Sequence, residues 1–130
     1  MGRATPPFRA DHVGSLLRPR RLLQARDDHA AGRISDEELR AVEDDAIRDV
    51  VAMQRDVGLQ SATDGEFRRT TWHMDFIDSL GGITHADEKI LVEFHNEEGT
   101  ISWEPAAMRV SSRVLLKEPI FADHFAFLQS

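Results

Sequence analysis

SDEELRAVEDDAIRDVVAMQRDVGLQSATDGE, residues 35–66, is the stretch on which the fold turns. Ser35-Asp36-Glu37-Glu38 is a capping box. The serine side chain can accept from the Glu38 amide while the glutamate reaches back to the serine's own amide. Ile34 and Leu39 stand at the flanking staple positions, and Leu39, Val42, Ala46, Val50, Met53 and Val57 recur three or four residues apart. That spacing makes one apolar stripe on a helix of about six turns. Gly58 is placed to end it in a left-handed residue.

Leu59 to Thr63, just after the helix, reads as a short strand running into Asp64-Gly65-Glu66. Phe8 to Val13 reads as another, ending at Gly14-Ser15, since Thr5-Pro6-Pro7 ahead of it cannot be helix interior. Pro19 opens a helix carrying Leu22, Leu23 and Ala25, with Gly32 as its stop. Strand, helix and strand in this order predict a β-α-β unit and an α/β fold. Gly14-Ser15 and Asp64-Gly65-Glu66 then lie at the carboxyl ends of two parallel strands, the edge where such folds bind ligands.

Thr70 is placed to cap a third helix with Trp72, Phe76, Ile77 and Leu80, ending at Gly81-Gly82. Ile90, Val92 and Phe94 alternate with polar residues, and His95-Asn96-Glu97-Glu98-Gly99 precedes Thr100-Ile101-Ser102-Trp103. This predicts a hairpin with a five-residue loop. Arg109 to Leu115 reads as a further strand, and Phe121, Phe125 and Leu128 as a final helix. Trp72 and Trp103 read as packing residues.

Composition excludes several classes. The net charge of -7 argues against nucleic-acid binding, which needs a basic surplus. The charge is uneven: +4 over residues 1–34, -7 over 35–66 and -4 over 67–130. An Arg-bearing head can attract an anion, although Arg outnumbers Lys fourteen to two throughout and serves equally as the solvated cation. No apolar run approaches the ~20 residues of a membrane span, and the first twelve residues lack the apolar stretch of a secretory signal. With 130 residues, the chain is well short of the ~250 of a complete (β/α)8 barrel. Cysteine is absent, so these residues offer no disulfide, thiol nucleophile or thiolate ligand.

Asp64 and Glu66 put two carboxylates beside a glycine that permits close approach; Asp-Gly is equally a common turn. Gly14 and Ser15 offer amides and a hydroxyl to an anion such as a carboxylate. Asp11, His12, Asp64, Glu66 and His73 are of metal-ligating type, but their order matches no compact ligand motif. His12 fits better as a hydrogen-bonded structural histidine, and no metal site is expected from this chain alone.

Together, Arg9-Ala10-Asp11-His12-Val13-Gly14-Ser15-Leu16-Leu17-Arg18-Pro19, the acidic helix and Thr63-Asp64-Gly65-Glu66-Phe67-Arg68-Arg69 resemble the cobalamin-independent methionine synthase family, in its shorter catalytic-domain branch. The resemblance implies the N-terminal part of a (β/α)8 TIM barrel. Residues 1–82 would be its first two β/α units, 83–117 an inserted β-hairpin region and 118–130 the start of the next helix. It implies a methyltransferase that moves a methyl group from 5-methyltetrahydrofolate, or a related alkyl donor, to the thiol of homocysteine, or another small thiol, making methionine in the cytoplasm. Zinc would hold that thiol as thiolate, through cysteines and a histidine on later strands. By the same resemblance Ser15, with Val13 and Gly14 beside it, would hold the amino acid's carboxylate and Glu66 its ammonium. Arg69 matches a family position, with His12 and Asp64 as further candidates. Thr70 and Thr71 stand where long synthases carry an amide and an acid. No catalytic residue, nucleic acid or membrane partner is expected. The chain is expected to self-associate or to meet a complementing chain, and without thiolates to transfer no methyl group by itself. A non-catalytic α+β binding module acting through the 83–117 hairpin region, or a complementing fragment, is the alternative.

Overall fold

The computed structural model describes residues 10–89, 91–97, 99–104 and 106–130. The part of the first expected strand at Phe8 and Arg9, the Thr5-Pro6-Pro7 run, Ile90 and Glu98 lie outside the described residues, as does the packing expected of the Trp103 side chain. By contacts the chain divides into two units, one of residues 1–72 with 123–130 and one of residues 73–122.

In the first unit, α1 (Arg20–Ala30) follows Pro19, which is the N-cap in extended conformation rather than the first helical residue. Its fixed φ leads the chain in at either position. Gly32, at φ 68°, lies just beyond the end. The long helix α2 (Asp36–Asp56) bears the predicted box: Ser35 accepts from the Glu38 amide and the Glu38 carboxylate accepts from the Ser35 amide at 2.8 Å. Val57 is its C-cap, and Gly58 follows at φ 88°.

Leu22 of α1, Ala46, Ile47 and Val50 of α2, and Phe67 form the buried core, with Leu16, Val42, Val51, Phe127 and Leu128 packed against it. The buried face of α2 is therefore rotated from the expected stripe. Ile47 and Gln54 go inside, whereas Met53 is 42% and Val57 68% exposed. The reason is polar. Gln54 is buried because its amide is used on both sides: Nε2 donates to the carbonyls of Val50 (3.1 Å) and Thr63 (2.8 Å), and Oε1 accepts from the Thr63 amide (3.1 Å). A buried amide with its bonds made carries little penalty.

The same bonds correct one expected strand. Leu59 to Thr63 has no strand pairing, because a glutamine side chain takes the place of a neighbouring backbone at Thr63. Residues 10–13 are likewise unpaired. Burial nonetheless alternates from Asp11 to Leu17, around a bend at Gly14: His12, Gly14 and Leu16 turn inward, and Asp11, Val13, Ser15 and Leu17 outward. One backbone bond, Leu16 N to Gly65 O at 3.0 Å, joins the two segments. A ladder needs successive bonds. The fold is mixed α/β, and the parallel sheet of a barrel is not formed among the described residues.

In the second unit, α3 spans only Met74–Asp78 with His73 as N-cap and no capping side chain. Thr70 is thus not its cap, and Trp72 lies outside the helix, 73% exposed rather than packed. Gly81-Gly82 does not stop a helix but belongs to β1 (Leu80–Lys89). β1 pairs antiparallel with β4 (Ala106–Leu116), and the register shifts between Gly81 and Ile83. Gly82 has φ 82°, and a Cβ there would lie 2.4 Å from the Arg113 carbonyl oxygen. It is a bulge glycine, a role a helix-stop pattern resembles because both need the left-handed region. Nested between them, β2 (Val92–Asn96) and β3 (Gly99–Trp103) form the predicted hairpin. Asn96 pairs with Gly99, so the loop is two residues rather than five. The final helix, α4 (Ala122–Gln129), joins the first unit from Asp123 onward. Among the described residues no helix is long and apolar enough to cross a membrane.

Candidate functional site

Two short segments bring the candidate residues together. Gly14 takes φ 93°, and a ring nitrogen of His12 donates to its carbonyl at 2.9 Å. His12 is occupied in shaping this bend. Ser15, next along, is exposed.

The facing turn is built by its own side chains. Thr63 Oγ1 accepts from the Gly65 amide at 3.2 Å and Asp64 Oδ1 from the Glu66 amide at 2.9 Å, an Asx turn. Asp64 therefore serves the backbone. Gly65 at φ 64° and Glu66 at φ 58° are successive left-handed residues. Glycine suits the left-handed φ at position 65, and a Cβ there would press on the Phe67 and Leu16 side chains at 3.0 Å and 3.1 Å.

The outcome is a polar pair. Ser15 Oγ donates to Glu66 Oε2 at 2.8 Å, and Arg69 Nη1 stands 3.6 Å from Glu66 Oε1. Arg69 also donates to the Trp72 carbonyl at 3.4 Å. Val13 and Gly14 are chain neighbours of the pair, and Val13 is exposed. A hydroxyl donor, a carboxylate and a guanidinium thus meet at one partly open place, an arrangement suited to a small zwitterion.

The metal-type residues Asp11, His12, Asp64, Glu66 and His73 do not assemble. Among the described residues no three His, Asp or Glu converge as ligands.

Three arginines to which sequence reasoning assigns no role support this place. Arg18 Nη2 donates to the carbonyls of Glu66 and Arg69, both at 2.9 Å. Arg26 donates to the Arg69 carbonyl at 3.0 Å and to that of Phe67. Arg68, with a side chain only 3% exposed, bonds Glu43 at 3.2 Å and also Asp44 of α2, and lies 4.9 Å from the Phe127 ring centroid. A buried cation needs such partners. The available signal was Glu43-Asp44 directly after Val42, acids set against the inward stripe of α2.

No family model matches the chain. It is 38% identical over 128 residues to the uncharacterized protein YxjG of Bacillus subtilis, covering 98% of this chain and 33% of that one. It is 32% identical over 121 residues to a methionine synthase of Sulfurisphaera tokodaii, covering 91% of this chain and 32% of the relative. Among solved structures it is similar to a Listeria monocytogenes protein provisionally assigned as a vitamin-B12 independent methionine synthase. That similarity has a TM-score of 0.55 and 49% identity, over 59% of this chain and 24% of the other. The chain spans about a third of the length of the curated relatives it matches. Over that third, it fits a fragment of the B12-independent methionine synthase family.

Proposed function

We propose that Ser15, with the backbone of Val13 and Gly14, and Glu66 hold the amino-acid head of homocysteine. The setting is a cytoplasmic methyltransferase that moves a methyl group from a methylated folate, or a related donor, to the homocysteine thiol to make methionine. The observation that carries this reading is the 2.8 Å bond from Ser15 Oγ to Glu66 Oε2. It puts one donor and one anionic acceptor side by side, matching an α-carboxylate and an α-ammonium on a single carbon. On binding, the hydroxyl turns from Glu66 to the ligand's carboxylate and the ammonium takes its place at Glu66. Arg69, at 3.6 Å, balances the Glu66 charge. Methionine synthases among the relatives support a methyltransferase-related role.

Zinc, which the resemblance implies, would supply a thiolate at neutral pH. The donors here do not fit it: the chain has no cysteine, and the described residues hold no ligand cluster. The role proposed for these residues is binding of the amino-acid head, and no step through a metal is assigned to them.

Titrating L-methionine and L-homocysteine into the isotope-labelled chain tests this. Saturable shifts are expected at the amides of residues 14–17 and 65–69, and Glu66→Gln should weaken binding at least about tenfold by leaving the ammonium without its anion. A flat titration, or Glu66→Gln with unchanged affinity, overturns the assignment.

The alternative, a binding module working through its hairpin region, is favoured by Phe94 and Ile101, which pair across β2 and β3 and are both more than half exposed. Co-purification with a partner chain that Phe94→Ser abolishes, together with no affinity for either amino acid, is the result this alternative expects.

A further inference from the structure

We infer that Arg18 and Arg26 are positioning residues that clamp the 64–69 turn and so aim the Glu66 carboxylate at Ser15. Three carbonyls of the turn, those of Glu66, Phe67 and Arg69, converge on these two guanidinium groups. Arg18 Nη2 bridges Glu66 O and Arg69 O at 2.9 Å each. Arg26 spans Arg69 O, at 3.0 Å, and Phe67 O. The two arginines come from one rigid origin: Arg18 precedes the Pro19 cap of α1, and Arg26 lies two turns into the helix, 3.5 Å from Glu43 of α2.

The turn needs such a hold. Glu66 sits at φ 58°, a region that side-chain-bearing residues disfavour, and it follows Gly65 at φ 64°. The Asx bond from Asp64 fixes the entry to the turn, and backbone bonds from Phe67 N to Asp64 O (3.3 Å) and from Arg69 N to Glu66 O (3.1 Å) run through it. On the exit side, carbonyl dipoles pointing together repel unless cations lie between them, and a planar guanidinium fork can serve two acceptors at once. The Glu66 side chain, by contrast, is held among the described residues by Ser15 and by Arg69 at 3.6 Å. Its direction therefore follows from its backbone, and its backbone from the clamp.

The test uses the whole 130-residue chain and reads the turn without any ligand. The wild type is expected to show a nuclear Overhauser contact between the Ser15 β-protons and the Glu66 γ-protons. Arg18→Ala and Arg26→Ala should each lose it and speed hydrogen exchange at the Phe67 and Arg69 amides at least about tenfold, while the α2 amides keep their protection. Absence of the contact in the wild type, or its survival with unchanged exchange in both variants, overturns the inference. Should an alanine variant unfold, Arg18→Met decides. It keeps an unbranched stem and removes the Nη2 donor that serves both carbonyls, so exchange should rise in the turn and not in α2. Equal acceleration throughout both helices makes Arg18 merely structural and overturns the clamp.

The inference rests on the amino-acid reading only for its effect on ligand, a loss of methionine affinity of at least about tenfold in the same variants. A wild-type chain that binds no methionine but loses the Ser15–Glu66 contact on Arg18→Ala refutes that reading alone. Methionine binding that is indifferent to both arginines refutes the clamp alone.

Discussion

Gly65 concentrates the argument in one residue. Its φ of 64° strains any side chain, and a Cβ there would also press on Phe67 at 3.0 Å and Leu16 at 3.1 Å. Gly65→Ala should lower stability by about 1–3 kcal/mol, the usual size of a left-handed strain. Urea unfolding measures it, and a change below a few tenths would mean that the turn relaxes freely. The close approach this glycine permits was legible from the Asp64-Gly65-Glu66 triplet. The left-handed Glu66 was not, because nothing local compels it. Its conformation depends on Asp64 within the turn and on arginines forty or more residues away. The pairing of Ser15 with Glu66 became legible only through resemblance, since no periodicity links residues 51 apart.

At the scale of elements, what was legible is what is local. Helix α2 declares itself through its cap, and the cap has a pH signature. The Ser35 amide, and then its hydroxyl, donate to the Glu38 carboxylate and hold its pKa below the ordinary 4.5. A carboxylate lowered on folding stabilises fully above its unfolded value, and that contribution is lost as pH falls through the lower folded one. Below about pH 4.5, then, melting temperature should fall less steeply in Glu38→Gln than in the wild type. Glutamine keeps the box at neutral pH but has no proton to gain. Identical acid limbs would remove Glu38 from the account.

The expected strand Leu59–Thr63 failed for the opposite reason. A strand is defined by its partner, and Leu59–Thr63 meets the Gln54 side chain where a backbone neighbour was expected. Gln54→Met keeps the volume and removes the surrogate partner, leaving the Thr63 amide and carbonyl without it. A loss of about 1–3 kcal/mol in urea unfolding is expected. A smaller cost would show that water satisfies Thr63 as well. Gly82 makes the same point inside the ribbon, since Gly-Gly reads as a stop until the facing Arg113 carbonyl shows it to be a bulge.

Over the whole molecule, what is unpaired becomes the main physical fact. Segment 11–17 alternates between inward and outward residues as a strand does, yet among the described residues one backbone bond ties it to the 64–66 turn. Its outward residues include Leu17, 95% exposed, and Val13, 86% exposed. Among the described residues the strands of the second unit pair only two by two, and Val110 and Leu116 are exposed on β4. Large apolar side chains beside open backbone donors and acceptors favour association with another chain, because burial and pairing are gained together. The net charge of -7 opposes this only at long range and is screened within about 8 Å at physiological salt. Sedimentation velocity over a concentration series should therefore show a self-associating species, more pronounced at higher salt. Leu17→Lys with Val13→Thr should shift the distribution toward monomer, because the pair removes apolar surface without disturbing Leu22, Ile47 or Phe67 in the core. A monomer at all concentrations with one sharp melt would mean that the unpaired segment is stable in water. The strand-like alternation of residues 11–17 would then reflect local chain geometry rather than a missing neighbour.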